Sequence, residues 1–455
     1  MARPRRVLHA TVNARSAQPL LAALAWMGVY LALVLAPLFV LLVGAAPPGL
    51  GFRWDLSMAL GFAGLTMMAV QFALTARFRR ATAPFGIDII YYLHRYLGAL
   101  ALALVLAHAL IAIAVNPAVA SGLNPFAAPW YMTAGVASVA ALVALVIASV
   151  WRRTLRIPYE PWRVTHTLLA VAAVGLAWLH MHGVQYYLAS PWKYRLWQII
   201  GWSCLGAIAF VRLVRPWQLQ RRPYRVAAVT PERGDAWTVA VAPEGHAGLT
   251  FQPGQFAWLT LGRSPYVMQE HPFSFSSSPA LGHGRLEFTI KELGDFTRTI
   301  GTLPPGTRAF VDGPYGAFSI DRHPAPGYVC LAGGIGIAPM LSMLKALADR
   351  GDPRPVLLFY ADSQWDRMTG REQIEALRRR LTLSVVYVVD EPTPEWEGER
   401  GWITREVVSR HLPVGHAAFE YFVCGPTPMI GAMERILHGL GVPLSQVHSE
   451  LFDLV

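Results

Sequence analysis

Two stretches decide the fold of this chain: residues 91–115, YYLHRYLGALALALVLAHALIAIAV, and residues 164–181, VTHTLLAVAAVGLAWLHM. Each is long, apolar and carries two histidines that are 14 residues apart. At 3.6 residues per turn, that spacing falls only about 40° short of four full turns and spans about 21 Å along a helix. Each pair therefore shares one helix face, and a hydrocarbon core about 30 Å thick would hold one imidazole near each leaflet.

The histidine pairs are His94 with His108 and His166 with His180. Ionisable side chains inside a membrane span are costly and usually mark a functional site. Two helices with matched pairs can hold two stacked haems, each iron bound by one imidazole from each helix. His182 lies about 160° around the helix from His166, and we interpret it as a residue at the helix exit. Because the chain has no C-x-x-C-H run, haem b is expected rather than covalent haem c.

Length and composition fit a membrane protein with soluble domains. A chain of 455 residues is long enough for two or three domains, and its 54% hydrophobic content lies mostly in the first half. The net charge of +11 comes from arginines beside apolar spans, which indicates membrane topology and no nucleic-acid partner. Three cysteines form no disulfide framework and fit a reducing compartment for the soluble part.

Six apolar stretches precede residue 216, and each is about long enough to cross a bilayer. They are residues 20–43, 56–76, 89–115, 131–150, 164–181 and 197–214. Basic residues concentrate in the N-terminal tail and in the second and fourth connections, which predicts that both termini are cytoplasmic. We expect a multi-pass protein of the inner (plasma) membrane, with a lipid bilayer as its partner. A cleaved signal peptide is disfavoured because the first stretch is too long and too uniformly apolar.

The rest of the chain reads as two soluble domains. After Trp217, short alternating segments with Gly and Pro between them predict an antiparallel β-barrel. From about Tyr328, strands alternate with helical patterns, which predicts a parallel sheet with crossover helices. The predicted fold class is thus a six-span α-helical bundle, then a β-barrel and an α/β domain.

Two runs in the predicted barrel fit a flavin. The run HPFSFSS, residues 271–277, offers a flat slot, a hydroxyl for the flavin N5 edge and donors for phosphates. Its candidate binding residues are His271, Pro272, Phe273, Ser274, Ser276 and Ser277. Gly294 and Thr297 lie where a short helix is expected to begin, and its free N–H groups can hold a pyrophosphate.

Two runs in the predicted α/β domain fit a dinucleotide. GGIGIAP, residues 333–339, joins a strand to a helix, so its backbone can approach phosphate closely and Pro339 can begin the helix. The candidate residues there are Gly333, Gly334, Gly336 and Pro339. Cys424, Gly425 and Pro426 end a later strand at the same carboxyl edge, where ligands bind in open α/β folds.

These residues resemble the superfamily of ferric reductases and NADPH oxidases over nearly the whole chain. The family's H-P-F-[ST]-x-[ST]-S, G-G-x-G-x-x-P and C-G-P motifs match residues 271–277, 333–339 and 424–426, and the histidine pairs match its haem ligands. The resemblance implies a flavin barrel and a nicotinamide domain of the ferredoxin–NADP reductase type. The expected domains are a cytoplasmic tail (1–18), a two-haem membrane domain (19–215), an FAD-binding barrel (216–323) and an NAD(P)-binding domain (324–455).

The resemblance also implies residue roles. Ser274 would contact the flavin N5 region, His271 would lie near the ribityl or phosphate portion, and Cys424 would lie by the nicotinamide. Phe452 resembles the aromatic residue that covers the flavin ring in related reductases, and a core phenylalanine is the alternative.

Coenzyme choice stays open at this point. Ser363 and Arg371 can hold the 2′-phosphate of NADPH, whereas Asp362 favours the free ribose hydroxyl of NADH.

The predicted function is electron transfer from cytosolic NADPH or NADH, through FAD and two haems b, to an external acceptor. The acceptor is dioxygen or a ferric chelate. Ala112 stands where superoxide-forming eukaryotic oxidases have a further histidine, whereas Arg53 can take the family's arginine place near the oxygen site. The alternative is a flavin reductase whose haem-free spans anchor it to the membrane for a partner protein. The oligomeric state stays open.

Overall fold

The computed structural model describes residues 5–44, 48–78 and 86–451. Two compact units form, Met1–Arg215 and Pro216–Val455.

The first unit is a helical bundle. Within the described residues, six helices are long and apolar enough to cross a membrane, as predicted. They are α1 (Arg5–Leu42), α2 (Phe52–Thr75), α3 (Gly86–Val115), α4 (Trp130–Val150), α5 (Tyr159–Val184) and α6 (Pro191–Ala209). A short helix, α7 (Arg215–Gln220), follows further along the chain. Large apolar side chains such as Phe39, Leu110 and Leu168 lie exposed on the bundle's surface, which suits contact with lipid rather than with water. The chain is therefore a multi-pass membrane protein.

The last two helices begin earlier than the sequence pattern predicts. The structure begins α5 at Tyr159 and α6 at Pro191, where proline at the first helical turn has no N–H to satisfy. Arg163 and Lys193 consequently lie inside helices rather than in connections. Lys193 is 1% exposed, and its ammonium group donates a 2.6 Å hydrogen bond to the carbonyl of Leu41 at the end of α1.

The bundle contains two close helix pairs, α2 with α3 and α4 with α5. Small residues allow this approach: a Cβ added at Gly64 of α2 would lie 2.6 Å from the side chain of Val105 on α3. Ser138 of α4 donates a 2.7 Å hydrogen bond to the carbonyl of Ala173 on α5. These pairs carry the histidines.

The second unit contains an antiparallel sheet and a parallel sheet, each of six strands, among the residues the structure describes. The antiparallel sheet has the order β4-β3-β6-β1-β2-β5. Its strands are β1 (Tyr224–Glu232), β2 (Ala236–Pro243), β3 (Phe256–Leu261), β4 (His271–Ser274), β5 (Leu286–Lys291) and β6 (Arg308–Tyr315). This is the predicted barrel.

The parallel sheet has the order β10-β9-β8-β7-β11-β12. Its strands are β7 (Tyr328–Gly333), β8 (Val356–Asp362), β9 (Leu383–Val389), β10 (Glu399–Arg400), β11 (Glu420–Gly425) and β12 (Val447–Leu451). Helices cover its two faces: α8 (Ile337–Asp349), α9 (Arg371–Arg378), α10 (Arg405–His411) and α11 (Thr427–Gly439). The central strand β7 is buried along its whole length, as expected for a strand covered on both faces. The α/β fold class of the ferredoxin–NADP reductase type is confirmed.

Candidate functional site

The four predicted histidines lie on α3 and α5. Across the bundle, His94 of α3 faces His166 of α5, and His108 of α3 faces His180 of α5. The ring centres of His94 and His166 are 6.1 Å apart. Two imidazoles on opposite sides of one iron, each bonded at about 2 Å, would have ring centres roughly 6 Å apart. The second pair, His108 and His180, lines one cavity of about 380 Å³ between α2, α3, α4 and α5. The described residues thus fit two iron sites.

Each of these imidazoles is held through its Nδ1 atom by the helix packed beside its own. On α2, Gln71 Oε1 lies 2.8 Å from Nδ1 of His94, and the carbonyl of Ser57 lies 2.9 Å from Nδ1 of His108. Because a carbonyl oxygen only accepts hydrogen bonds, Nδ1 carries the proton. The Nε2 lone pair of each ring is then available to bind a metal, as in sites where a second hydrogen bond fixes the ligand's tautomer.

The second helix pair repeats this arrangement. The carbonyl of Tyr131 lies 2.9 Å from Nδ1 of His180, and the hydroxyl of Ser149 lies 3.0 Å from Nδ1 of His166. Ser149 donates its own hydrogen to the carbonyl of Leu145 at 2.7 Å, so its oxygen accepts from His166. All four rings are therefore Nδ1–H tautomers.

Two glycines leave room for the rings of His108 and His180. A Cβ added at Gly61 of α2 would lie 3.0 Å from the ring of His108, and one added at Gly135 of α4 would lie 2.7 Å from Nδ1 of His180. Real Cβ atoms keep a larger distance from such neighbours. Any larger residue would therefore displace the imidazole it faces.

His182 has a different environment from His180. Its Nδ1 lies 2.9 Å from the carbonyl of Trp178 on its own helix, and its ring packs against Trp178 and Tyr194. The cavity that holds His108 and His180 does not include His182 in its lining. This placement favours His180 as the ligand.

The cavity that holds His108 and His180 is apolar and covered by tyrosines. Within the described ranges its lining includes Ala112 and contains no charged side chain, and Arg53 is exposed outside it. Tyr187 donates a 2.8 Å hydrogen bond to Asp55, and Tyr186 donates one of 2.8 Å to the carbonyl of Pro48. The two tyrosines thus hold the loop after α5 over the cavity.

In the antiparallel sheet, Ser274 is the serine that fits a flavin best. It is 4% exposed, and its hydroxyl has no hydrogen-bond partner among the described residues. The hydroxyls of Ser276 and Ser277 are engaged instead, by Thr289 at 2.8 Å and by the N–H of Glu287 at 3.1 Å. A buried hydroxyl without a partner is costly unless a ligand satisfies it.

The rest of the predicted flavin region forms a stack and a tight loop. His271 at the start of β4 stacks on Phe296 with ring centres 4.0 Å apart, and Phe273 lies on the same side. The helix that was expected to follow is a six-residue 3-10 helix, Thr297–Thr302. The hydroxyl of Thr297 accepts hydrogen bonds from the N–H of Gly294 at 2.9 Å, so this loop satisfies part of its own backbone.

In the parallel sheet, the two predicted nucleotide loops touch. β7 and β11 are neighbours, so Gly333 and Cys424 end at the same carboxyl edge. A Cβ added at Gly336 would lie 2.2 Å from the carbonyl of Cys424, and Gly334 has a φ of +53°. Glycine is therefore required at Gly336 for the close approach, and at Gly334 the left-handed backbone favours it.

Cys424 is fully buried. Burial and then the Glu450 carboxylate hold the pKa of its thiol well above the usual range, so the sulfur stays neutral at physiological pH. A neutral thiol offers a small, weakly polar surface rather than a nucleophile. Phe452, the predicted flavin cover, lies outside the described residues.

The coenzyme candidates meet at the end of β8. Asp362 Oδ1 accepts a 2.7 Å hydrogen bond from the N–H of Ser363, and the Ser363 hydroxyl lies 3.3 Å from the same oxygen. Asp362 Oδ2 is buried without a partner in the part of the chain that the structure describes. Arg371 lies 4.2 Å over the ring of Trp365 and donates to its carbonyl at 3.1 Å. Ser363 and Arg371, the candidates for binding a 2′-phosphate, thus already make hydrogen bonds within the protein. Asp362 keeps one acceptor oxygen without a partner among the described residues.

The residues that hold the imidazoles were not predicted from the sequence. Ser57 and Gln71 are 14 residues apart, the same interval as the histidines they contact, and this signal was present in the sequence. Tyr131 acts through its backbone carbonyl, which no side-chain pattern reveals.

Family comparisons divide the chain into three matched parts. Residues 60–177 match the ferric reductase like transmembrane component, residues 225–319 an FAD-binding domain, and residues 330–435 an oxidoreductase NAD-binding domain.

Individual relatives match the second half. The reductase subunit Stc4 of stachydrine N-demethylase from Rhizobium meliloti (strain 1021) is 30% identical over 236 residues, which is 50% of this chain and 66% of the relative. NADH-cytochrome b5 reductase 1 from Cryptococcus neoformans var. neoformans serotype D (strain JEC21 / ATCC MYA-565) is 33% identical over 184 residues, 38% of this chain and 63% of the relative. The chain thus spans less than two thirds of these relatives. The ferredoxin reductase in carbazole 1,9a-dioxygenase has 29% identity and a TM-score of 0.44, covering 51% of this chain and 69% of that structure.

Substituting Gly135 tests the packing around His180. Gly135→Ala should destabilise the protein by about 1–3 kcal/mol, because the methyl group collides with the imidazole that donates to Tyr131. Gly28→Ala is the control, since Gly28 is exposed on α1 and an added Cβ there has no neighbour within 4 Å. That change should be neutral or stabilise by up to about 1 kcal/mol. Thermal unfolding midpoints of the detergent-solubilised proteins measure the difference, and equal shifts would contradict the packing.

Proposed function

We propose that this chain moves electrons across a membrane. The chain is an oxidoreductase that joins a ferric reductase-like membrane domain to FAD- and NAD(P)H-binding domains. This is the domain combination of ferric reductase/NADPH oxidase-type flavocytochromes. The residues present would hold FAD and two haems b, and these groups would relay electrons from cytosolic NAD(P)H to an external acceptor. The observation that carries this proposal is the pair of facing imidazoles, His94 and His166, at 6.1 Å, repeated by His108 and His180.

The proposed orientation follows from the spans and the charges. Six helices return the chain to the side on which it began, and the arginine-rich connections favour the cytoplasm for that side. The protein is then a multi-pass component of the inner (plasma) membrane with both termini inside. The corresponding domains are residues 1–18, 19–215, 216–323 and 324–455.

Within the membrane unit, protein groups fix the ligands rather than react. Gln71, Ser57, Ser149 and Tyr131 hold the four rings so that each presents Nε2 to an iron. When bound, FAD would take a hydride and release electrons singly, and each haem would carry one electron at a time.

The cavity lined by His108 and His180 would select the electron acceptor. Two imidazoles per iron would leave no open coordination position, so an acceptor would have to be reduced without binding the metal. The cavity offers apolar side chains with Ala112 among them, and Arg53 lies outside its lining. We therefore propose low selectivity between dioxygen, which would give superoxide, and soluble ferric chelates.

Ligand variants test the proposed electron path. His94→Ala or His166→Ala should lower the haem content from about two per chain to about one and stop reduction of external acceptors, while NAD(P)H still reduces the flavin. His182→Ala is the matched control on α5 and should keep both haems. Haem and flavin content are measured on purified protein. A chain without haem, or variants that keep two, would contradict the assignment, and the former would favour a haem-free anchor.

The same preparations test the acceptor. Wild-type protein should reduce cytochrome c in air in a reaction partly suppressed by superoxide dismutase, and should reduce a ferric chelate without oxygen. Complete suppression with no chelate reduction would indicate a dedicated oxidase. No suppression with fast chelate reduction would indicate a ferric reductase.

The flavin and nicotinamide sites lie in the soluble unit. We propose that FAD contacts Ser274 through the unpartnered hydroxyl, and that residues 271–277 with Gly294 and Thr297 hold the rest of the cofactor. The loops at residues 333–339 and 424–426 receive the dinucleotide at the carboxyl edge of the parallel sheet. Cys424 supplies a neutral surface beside the nicotinamide.

Removing the Ser274 hydroxyl tests the flavin contact. Ser274→Ala should slow flavin reduction about fivefold, since one hydrogen bond of about 1 kcal/mol is lost. Ser319→Ala is the control, because Ser319 is also buried and its hydroxyl accepts a hydrogen bond from the N–H of Asp321 at 3.3 Å. Stopped-flow absorbance follows the reduction. An unchanged rate with full FAD content would refute the role.

NADH is the proposed preferred coenzyme. A free carboxylate oxygen at Asp362 can accept from a ribose 2′-hydroxyl and repels a 2′-phosphate. Ser363 and Arg371, the residues that would favour NADPH, already bond within the protein. A relative named NADH-cytochrome b5 reductase matches the same half of the chain.

Coenzyme kinetics test this preference. Asp362→Ala should lower kcat/KM for NADH by at least about tenfold, because a hydrogen bond to a charged group is lost, and should raise that for NADPH. Asp366→Ala, an exposed acid nearby, should change neither. Initial rates of ferricyanide reduction with each coenzyme give the ratio. Wild-type preference for NADPH would contradict the proposal.

A further inference from the structure

Three metal-binding side chains converge on the amino-terminal edge of the parallel sheet. His323 lies in the segment between β6 and β7, Glu420 begins β11, and His448 is the second residue of β12. One donor atom from each lies within 4.8 Å of the other two. No residue of the proposed electron path is among them.

The sheet register explains why Glu420 and His448 meet. Phe422 pairs with His448 across the parallel strands β11 and β12. Glu420 precedes Phe422 by two residues and so points to the same face. Its carboxylate lies 2.6 Å from Nε2 of His448, and both side chains are largely shielded from solvent.

His323 completes the group from a different part of the chain. Its ring stacks on that of His448 with centres 3.5 Å apart. The neighbouring Arg322 is held by Gln252 at 2.9 Å.

The donor set is the one that zinc prefers. Two imidazole nitrogens and one carboxylate oxygen with a water in the fourth position form a common tetrahedral site. Zinc bonds of about 2.0–2.2 Å place ligand atoms roughly 3.3–3.5 Å apart, so these side chains need only rotate to close around an ion. His448 would exchange its Nε2–H for a bond to the metal and keep a proton on Nδ1.

We propose that His323, Glu420 and His448 form a zinc-binding site that ties the segment before β7 to the strands β11 and β12. β12 is an edge strand that pairs with β11 alone among the described strands. Zinc at its amino end fastens this strand to the segment that leaves the barrel. The nucleotide loops lie at the opposite, carboxyl edge, so zinc binding leaves coenzyme binding unchanged.

Zinc binding to the full-length chain tests this site. Untagged protein in detergent, stripped of loosely bound metal with a chelator, is dialysed against zinc and analysed for metal content. Wild-type protein should bind one more zinc ion per chain than His323→Gln or His448→Gln, and its unfolding midpoint should rise by several degrees with zinc. Glu420→Gln should weaken binding by on the order of tenfold or more, since a charged ligand is lost.

Controls separate this site from others. His438→Gln alters an exposed histidine on α11 and should bind as much zinc as wild type. The KM for NADH should not change with zinc. Equal zinc binding by the ligand variants and wild type would overturn the proposal.

A measurement on the wild type covers the case in which the variants misfold. Zinc should protect His323 and His448, but not His438, from diethylpyrocarbonate, as read by mass spectrometry. Modification of His323 and His448 at the same rate with and without zinc would also overturn the proposal. Neither readout depends on haem or on the acceptor, so failure here is distinct from failure of the proposed electron path.

Discussion

The hydrogen bond at Nδ1 is the interaction on which the membrane unit depends. An imidazole within a bilayer has two ring nitrogens to satisfy and no water to satisfy them. In this bundle one nitrogen of each histidine is satisfied by the adjacent helix, through Ser57, Gln71, Tyr131 or Ser149. The other nitrogen is left for the proposed iron. The close packing of α2 on α3 and of α4 on α5 follows from the same requirement, because these bonds need backbones within reach.

Much of this arrangement was predictable because helical periodicity is strong in apolar sequence. The 14-residue interval identified both pairs, and length and hydropathy identified six spans. The helix starts at Tyr159 and Pro191 were missed because charged residues in the first turns resemble a connection. The choice between His180 and His182 needed the structure, since it rests on which face meets α4.

The soluble unit shows a similar limit. Its motifs identified the loops and the order of the two sheets, because turn chemistry and strand patterns are local in sequence. The resemblance assigns the flavin N5 contact to Ser274, and the packing adds that its hydroxyl is buried without a partner among the described residues, unlike those of Ser276 and Ser277. The engagement of Ser363 by Asp362 likewise depends on the geometry at the end of β8. The group of His323, Glu420 and His448 comes from three segments that are distant in sequence, so no local sequence pattern predicts it.

The two helix pairs bear on how such a protein is assembled. Each pair is a hairpin of consecutive helices that already contains its histidines together with the groups that orient them. A ribosome delivers these hairpins to the membrane one after the other, and each contains half of the side chains of both proposed iron sites. We expect that cofactor capture, rather than helix insertion, is the event that joins the halves. Cells short of the proposed haem would then accumulate inserted but unjoined hairpins.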